Sequence, residues 1–238
     1  QDSFSLTSRL FFVGFLANAT APFLHRKAPT TARDQLQAVR ANLTSMENLR
    51  ALVSLLARME LPDVGLERTL LEVVVSSTQE GVPITSRASF GRALASYSGA
   101  AFDSGGTATT TWNIDEAIAR RAYAERLQLY ASVPGVLDRV DAYLARFCAH
   151  YWTLEPYIKV DNLMDHVFPL ALRVALAKFL LVGQPNPFAL VQAAASSNRL
   201  MTPEIEAALD AAMVEVAYNI ARSLDHNSNQ RSRIAAAL

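Results

Sequence analysis

Apolar side chains recur every third or fourth position through most of the chain, the period that gathers them on one face of an α-helix. The longest such stripe is Ile205, Leu209, Met213, Val216, Ile220 and Leu224, with Glu204, Glu206, Asp210 and Arg222 elsewhere on the wheel. It predicts an amphipathic helix with one buried face. Leu137, Val140, Leu144, Phe147 and Tyr151 repeat the pattern earlier in the chain. Between Leu170 and Val182 the chain is apolar nearly all round, with only Arg173 and Lys178 charged. A helix sheathed by others, its two long cations reaching outward, is expected there. Val73-Val74-Val75 is the one run that reads like a strand, yet Leu66, Leu70, Leu71 and Val74 keep a helical period around it, so helix is expected there too.

Helix punctuation agrees with this pattern. Thr44-Ser45-Met46-Glu47 has capping-box spacing ahead of Leu49, Leu52, Val53 and Leu56. Asn113-Ile114-Asp115-Glu116 offers asparagine as cap with acids in the first turn, where the helix dipole favours negative charge. Pro134, Pro156, Pro169, Pro187 and Pro203 each precede good helix formers and read as helix starts. The glycine- and threonine-rich segment 98–112 reads as a long loop. No repeat of solenoid length is visible. The expected fold is all-α, an irregular multi-helix bundle of about nine to eleven helices around the apolar 170–182 helix. Residues 1–234 are expected to form a single helical domain, divisible if anywhere at the 98–112 loop. Gln1 in place of methionine suggests a fragment or processed product, and Ala235-Ala236-Ala237-Leu238 resembles an expression-vector junction.

Composition narrows the partners. Twenty-two basic residues balance twenty-two acidic ones, so no net field draws the surface to nucleic acid or anionic lipid. Asn18 and Pro22 interrupt the apolar run Leu10–Leu24, which falls short of about 20 spanning residues, so no membrane insertion is expected. The single cysteine, Cys148, can form no internal disulfide and fits a reducing, cytoplasmic setting, with burial as a small hydrophobe its simplest role. His150, two positions on, points to another helical face and is no natural base for it. The glycine-rich phosphate loop, the dinucleotide fingerprint, the zinc-binding His-Glu-x-x-His and the Gly-x-Ser-x-Gly elbow are all missing from the sequence.

The residues left as candidates cluster late in the chain. Tyr143, Phe147, Tyr151, Trp152, Tyr157 and Phe168 form an aromatic run with Lys159 beside it, suited to a ligand or peptide groove or to plain core packing. Asp161 and Asp165 are four apart, with His166 adjacent; they suit a cation or a proton, or a solvated acidic face. His226 and Asn227 close the last helix, where a cation and a left-handed asparagine also make a cap. The candidate groove is therefore Tyr151, Tyr157, Lys159, Asp161, Asp165, His166, His226 and Asn227, with no metal site.

From Tyr143 to Arg233 the order of features resembles the C-terminal helical half of the flagellin lysine-N-methylase, or FliB-like, family. The resemblance is carried by Tyr157 through Phe168-Pro169, by Ala175-Leu176-Ala177-Lys178-Phe179-Leu180-Leu181-Val182-Gly183, and by Ile220-Ala221-Arg222-Ser223-Leu224-Asp225-His226-Asn227-Ser228. It covers about a third of the chain, and each piece is mostly helix-core residues. Asp161, Asn162 and Asp165 are more polar than the family's corresponding stretch. The resemblance implies S-adenosylmethionine-dependent methylation of lysines on flagellin, with this segment as scaffold and substrate groove. It also implies an iron–sulfur or zinc centre, whose cysteine ligands have no counterpart in this chain. The alternatives are a non-enzymatic helical adaptor or effector-binding module that uses the aromatics from Tyr143 to Phe168, and a freestanding helical enzyme built on Asp161, Asp165 and His166.

Overall fold

The computed structural model describes residues 5–24, 30–58, 74–75, 84–98, 115–154 and 164–225. Among them are nine α-helices and no strand: α1 Leu6–Leu24, α2 Thr30–Thr44, α3 Met46–Arg58, α4 Ile84–Ser98, α5 Glu116–Ser132, α6 Val136–Leu154, α7 Met164–Gly183, α8 Pro185–Ser196 and α9 Pro203–Ile220. A π-helical turn, Ala221–Asp225, continues α9. The all-α expectation holds, and Val74 and Val75 are helical as their surroundings predicted. The 98–112 loop lies outside the described residues apart from Ser98, as do Pro156 and the 235–238 tail.

The caps show where local chemistry overrode the sequence reading. Asp115, not Asn113, caps α5: its backbone is extended and its carboxylate accepts from the amides of Ala117 and Ile118 at 2.9 and 3.2 Å. Ser45, not Thr44, starts α3 by accepting from the amide of Asn48, while the Thr44 hydroxyl turns back to the Ala41 carbonyl at 3.0 Å. Thr202 caps α9 and Pro203 takes its first position. Pro187 falls in the first turn of α8, and Pro134 sits in the turn before α6. Pro169 does not start a helix; it lies inside α7, where it removes one amide donor and its own carbonyl accepts from Arg173 Nη1 at 3.3 Å. Between α5 and α6, Gly135 has φ +88°, a conformation that favours glycine. After α8, Asn198 at φ +53° closes a Schellman arrangement, with the Arg199 amide donating to Ala194 and the Asn198 amide to Ala195.

The chain divides into two compact units. Unit 1 comprises 1–63 and 145–174; unit 2 comprises 64–144 and 175–238. In unit 1, α1 packs on α2 and α2 on α3. Gly14 of α1 lies beside Val167 of α7. Leu6, Ala17, Val167, Leu170, Leu172 and Val174 supply buried apolar surface.

In unit 2, α4 contacts α5, α8 and α9, and α8 contacts α5 and α9. The predicted stripe of α9 is buried at Ile205, Leu209, Met213, Val216 and Ile220. The apolar run of α7 continues here as Leu176, Ala177, Phe179, Leu180, Leu181 and Val182, all buried, while Lys178 reaches out to Asp141 at 3.7 Å. Among the described residues, His166–Gly183 alone is long and apolar enough to cross a membrane, and 67% of that window is buried inside the fold, as for a core helix.

Unit 2 is organised around a buried cation. Arg126 of α5 is 8% exposed, and its Nη2 donates to the Ser96 carbonyl at 2.6 Å near the end of α4. Its Nη1 donates to Ser96 Oγ at 3.0 Å and to the Val182 and Gly183 carbonyls at 3.3 and 3.4 Å, at the end of α7. The last carbonyls of a helix have no partner within it and carry the negative end of its dipole, so a guanidinium there satisfies both hydrogen bonding and charge. Phe188 and Tyr97 cover the guanidinium at 3.9 and 4.9 Å. Burial holds its pKa below the ordinary arginine value. Tyr97 packs against Phe179 and Tyr123 and donates its hydroxyl to the Phe179 carbonyl at 2.6 Å.

Gly183 permits this convergence, because a Cβ there would come within 2.8 Å of Tyr97 Cε2 and 2.9 Å of Ala93 Cβ. Gly183→Ala is expected to cost about 1–3 kcal/mol by overpacking. Arg126→Met, which keeps much of the stem but strands the carbonyls, is expected to cost about 3 kcal/mol, and Arg126→Lys to restore only part of it. Denaturant midpoints at unchanged slope measure both; a loss under about 0.5 kcal/mol for Arg126→Met would remove the guanidinium from its organising role.

Candidate functional site

The late aromatic run is divided by the fold. Tyr143 belongs to unit 2, where its hydroxyl accepts from Arg139 Nε at 2.6 Å. Arg139 also reaches Glu206 and Asp210 at 2.8 and 3.0 Å, which ties α6 to α9. Tyr151, Trp152 and Phe168 belong to unit 1.

There, helical spacing brings two of the predicted residues together. His166 lies in the first turn of α7 and is 3% exposed. Its imidazole stacks on Tyr151 at 5.5 Å, with planes 29° apart, and meets Trp152 edge-on at 4.5 Å. Arg173 lies two turns further along α7 and places its guanidinium 4.7 Å from the Tyr151 ring centre. Histidine and arginine thus both pack against the tyrosine ring, with tryptophan closing the edge of the histidine. Phe168, two positions from His166, is 46% exposed. The arrangement offers flat, polarisable surface and ordered ring edges, suited to apolar and cationic side chains.

The remaining predicted residues stand apart from this account. Tyr157, Lys159, Asp161, His226 and Asn227 lie outside the described residues. Asp165 falls in the first turn of α7, but its side chain is likewise outside them. Among the described residues no group of three His, Cys, Asp or Glu side chains could hold a metal ion. Arg173, read from the sequence only as an outward cation, joins the cluster. Its signal was the spacing His166, Pro169, Arg173, which runs along one face of a helix that continues through the proline.

Sequence reasoning also overlooked Arg126. Among the described residues no carboxylate pairs with it, so the usual acidic partner gave no signal. Tyr130 is fully buried nearby in sequence, its hydroxyl has no hydrogen-bond partner among the described residues, and burial raises its pKa above the ordinary tyrosine value. Comparison with known proteins adds no relative: the chain matches no family model, no curated protein and no solved structure.

Cys148 is partly buried on α6, and burial pushes its thiol from 9.0 up to about 11. The folded thiol therefore holds its proton more tightly than the unfolded one. Its contribution to stability is fully present below the unfolded value and is lost as pH rises towards about 11. A shift of that size leaves about a hundredfold less thiolate at pH 8. Alkylation by iodoacetamide at pH 8 is expected to be slower in the native protein than in urea by about that factor. Equal rates in the two states would show the thiol to be neither buried nor raised.

Proposed function

We propose that the chain is a helical recognition module that binds a protein partner through the aromatic face of unit 1, its residues acting by contact. The observation that carries this reading is the pair of half-buried rings Tyr151 and Trp152, already held by His166 and Arg173, in a unit that also exposes Phe168. Aromatic and arginine side chains that are already held by one another lose little freedom on binding, the property that concentrates binding energy in such groups. The neutral net charge fits a contact driven by apolar surface.

A second reading rests on the residue order from Tyr143 to Arg233. It makes this module the substrate-holding half of a flagellin lysine methylase, with flagellin as the partner. S-adenosylmethionine and an iron–sulfur or zinc centre would then be held by residues other than those of the aromatic face.

A photo-reactive phenylalanine analogue at position 151 tests the proposal in cells of the source organism. A discrete protein adduct is expected, its yield reduced several-fold by Trp152→Ala, which removes an edge of the platform. Flagellin in the adduct selects the methylase reading and any other single protein selects the adaptor. A chain that forms no adduct overturns the recognition surface, and methyl transfer to flagellin by the purified chain alone overturns the contact-only reading.

A further inference from the structure

The last long helix has a second patterned face. Opposite its buried stripe, α9 carries Ala207, Ala211, Val214 and Tyr218 on the exposed side, at spacings of four, three and four. Val214 is 71% and Tyr218 55% exposed. Such spacing is the seam of a helix that packs lengthwise on another helix. The acids flanking the strip are already engaged within unit 2: Glu215 with Arg92, and Glu206 and Asp210 with Arg139. What remains is a neutral apolar strip with Glu204 at one end and Arg222 at the other. At one end Arg222 donates to the Tyr218 hydroxyl at 2.8 Å, and at the other Thr202 accepts from the Ile205 amide at 3.4 Å beside Glu204.

We propose that this strip is a two-fold interface on which a second copy of the chain packs its own α9 antiparallel. With the axis passing between residues 212 and 213, Ala207 faces the partner's Tyr218 and Ala211 faces the partner's Val214. Each large side chain meets a small one, so the helices can approach closely. The same operation sets Glu204 beside the partner's Arg222, twice over, and an interface of this kind closes on itself. A parallel pair would instead oppose tyrosine to tyrosine, glutamate to glutamate and arginine to arginine. Charge and volume thus select both a second copy as occupant and the antiparallel direction. The face is independent of the recognition surface of unit 1.

Sedimentation equilibrium of the full chain over a range of concentrations tests this. The wild-type chain is expected to pass from monomer to dimer, and Val214→Glu with Tyr218→Glu to remain monomeric at the same concentrations with unchanged circular dichroism. Glu204→Arg and Arg222→Glu are each expected to weaken self-association by about tenfold, and the two together to restore it, because both attractive pairs are then rebuilt in reverse. The reversals alone keep the test valid if the glutamate double variant fails to fold. A wild-type chain that is monomeric throughout overturns the proposal and leaves the strip to a different partner; charge reversals without mutual rescue overturn the antiparallel pairing.

Discussion

At Arg126 of unit 2, one guanidinium takes the place of the solvent that two helix ends would otherwise need. The ends of α4 and α7 bring the carbonyls of Ser96, Val182 and Gly183 together out of water. Unsatisfied, each would oppose burial by about 1–3 kcal/mol. A planar fork with five donors can serve several carbonyls at once, and the negative ends of the two helix dipoles supply the counter-charge. The side chain of Ser96, which bonds the Ala93 carbonyl as well as Gly183, fixes the end of α4 in the same place. The aromatic rings of Tyr97, Tyr123, Phe179 and Phe188 then pack around a site whose polar groups are already paired.

The same economy of charge recurs on α9. Arg92 and Arg139 reach it from α4 and α6 and occupy the acids beside its exposed strip. Exposed pairs of this kind contribute little stability, on the order of 0–1 kcal/mol. Their larger effect is on the character of the surface, since they leave an apolar seam with one free sign of charge at each end. One helix therefore builds the core of unit 2 with one side and presents a self-complementary surface with the other. Ser86, which donates to Asn219 at 2.9 Å, adds a buried polar contact where α4 meets the end of that helix.

In unit 1 the functional reading depends on ring geometry. The sequence placed Tyr151 and His166 in the same candidate groove, and the fold stacks one on the other. The spacing of His166 and Arg173 points to a common side only if the helix runs through Pro169, which reads as a helix start and so separates the two. A helix that runs through the proline puts His166 and Arg173 on one side, where both meet Tyr151 of α6. The aromatic run suits a groove or core packing by sequence alone, and the fold divides it, with Tyr143 serving Arg139 in unit 2. Composition shows that rings are present; only the path of the backbone assigns them to neighbours.

By itself the sequence determined the secondary structure, because helical periodicity and cap chemistry are local. The apolar stripe from Ile205 to Ile220 is buried as its pattern requires, and so are Leu176, Ala177 and Phe179 to Val182 in the nearly all-round apolar 170–182 segment. Cap positions shifted by a residue or two where several adjacent polar side chains competed, as at Asp115 and Ser45. Tertiary structure alone decided which helix ends meet at Arg126, why position 183 tolerates no Cβ, which acids of α9 are neutralised and which rings enclose His166. Those are encounters between residues 14 to 123 positions apart, as from Trp152 to His166 or from Arg92 to Glu215. No local period encodes such meetings, since they depend on how whole helices close against one another.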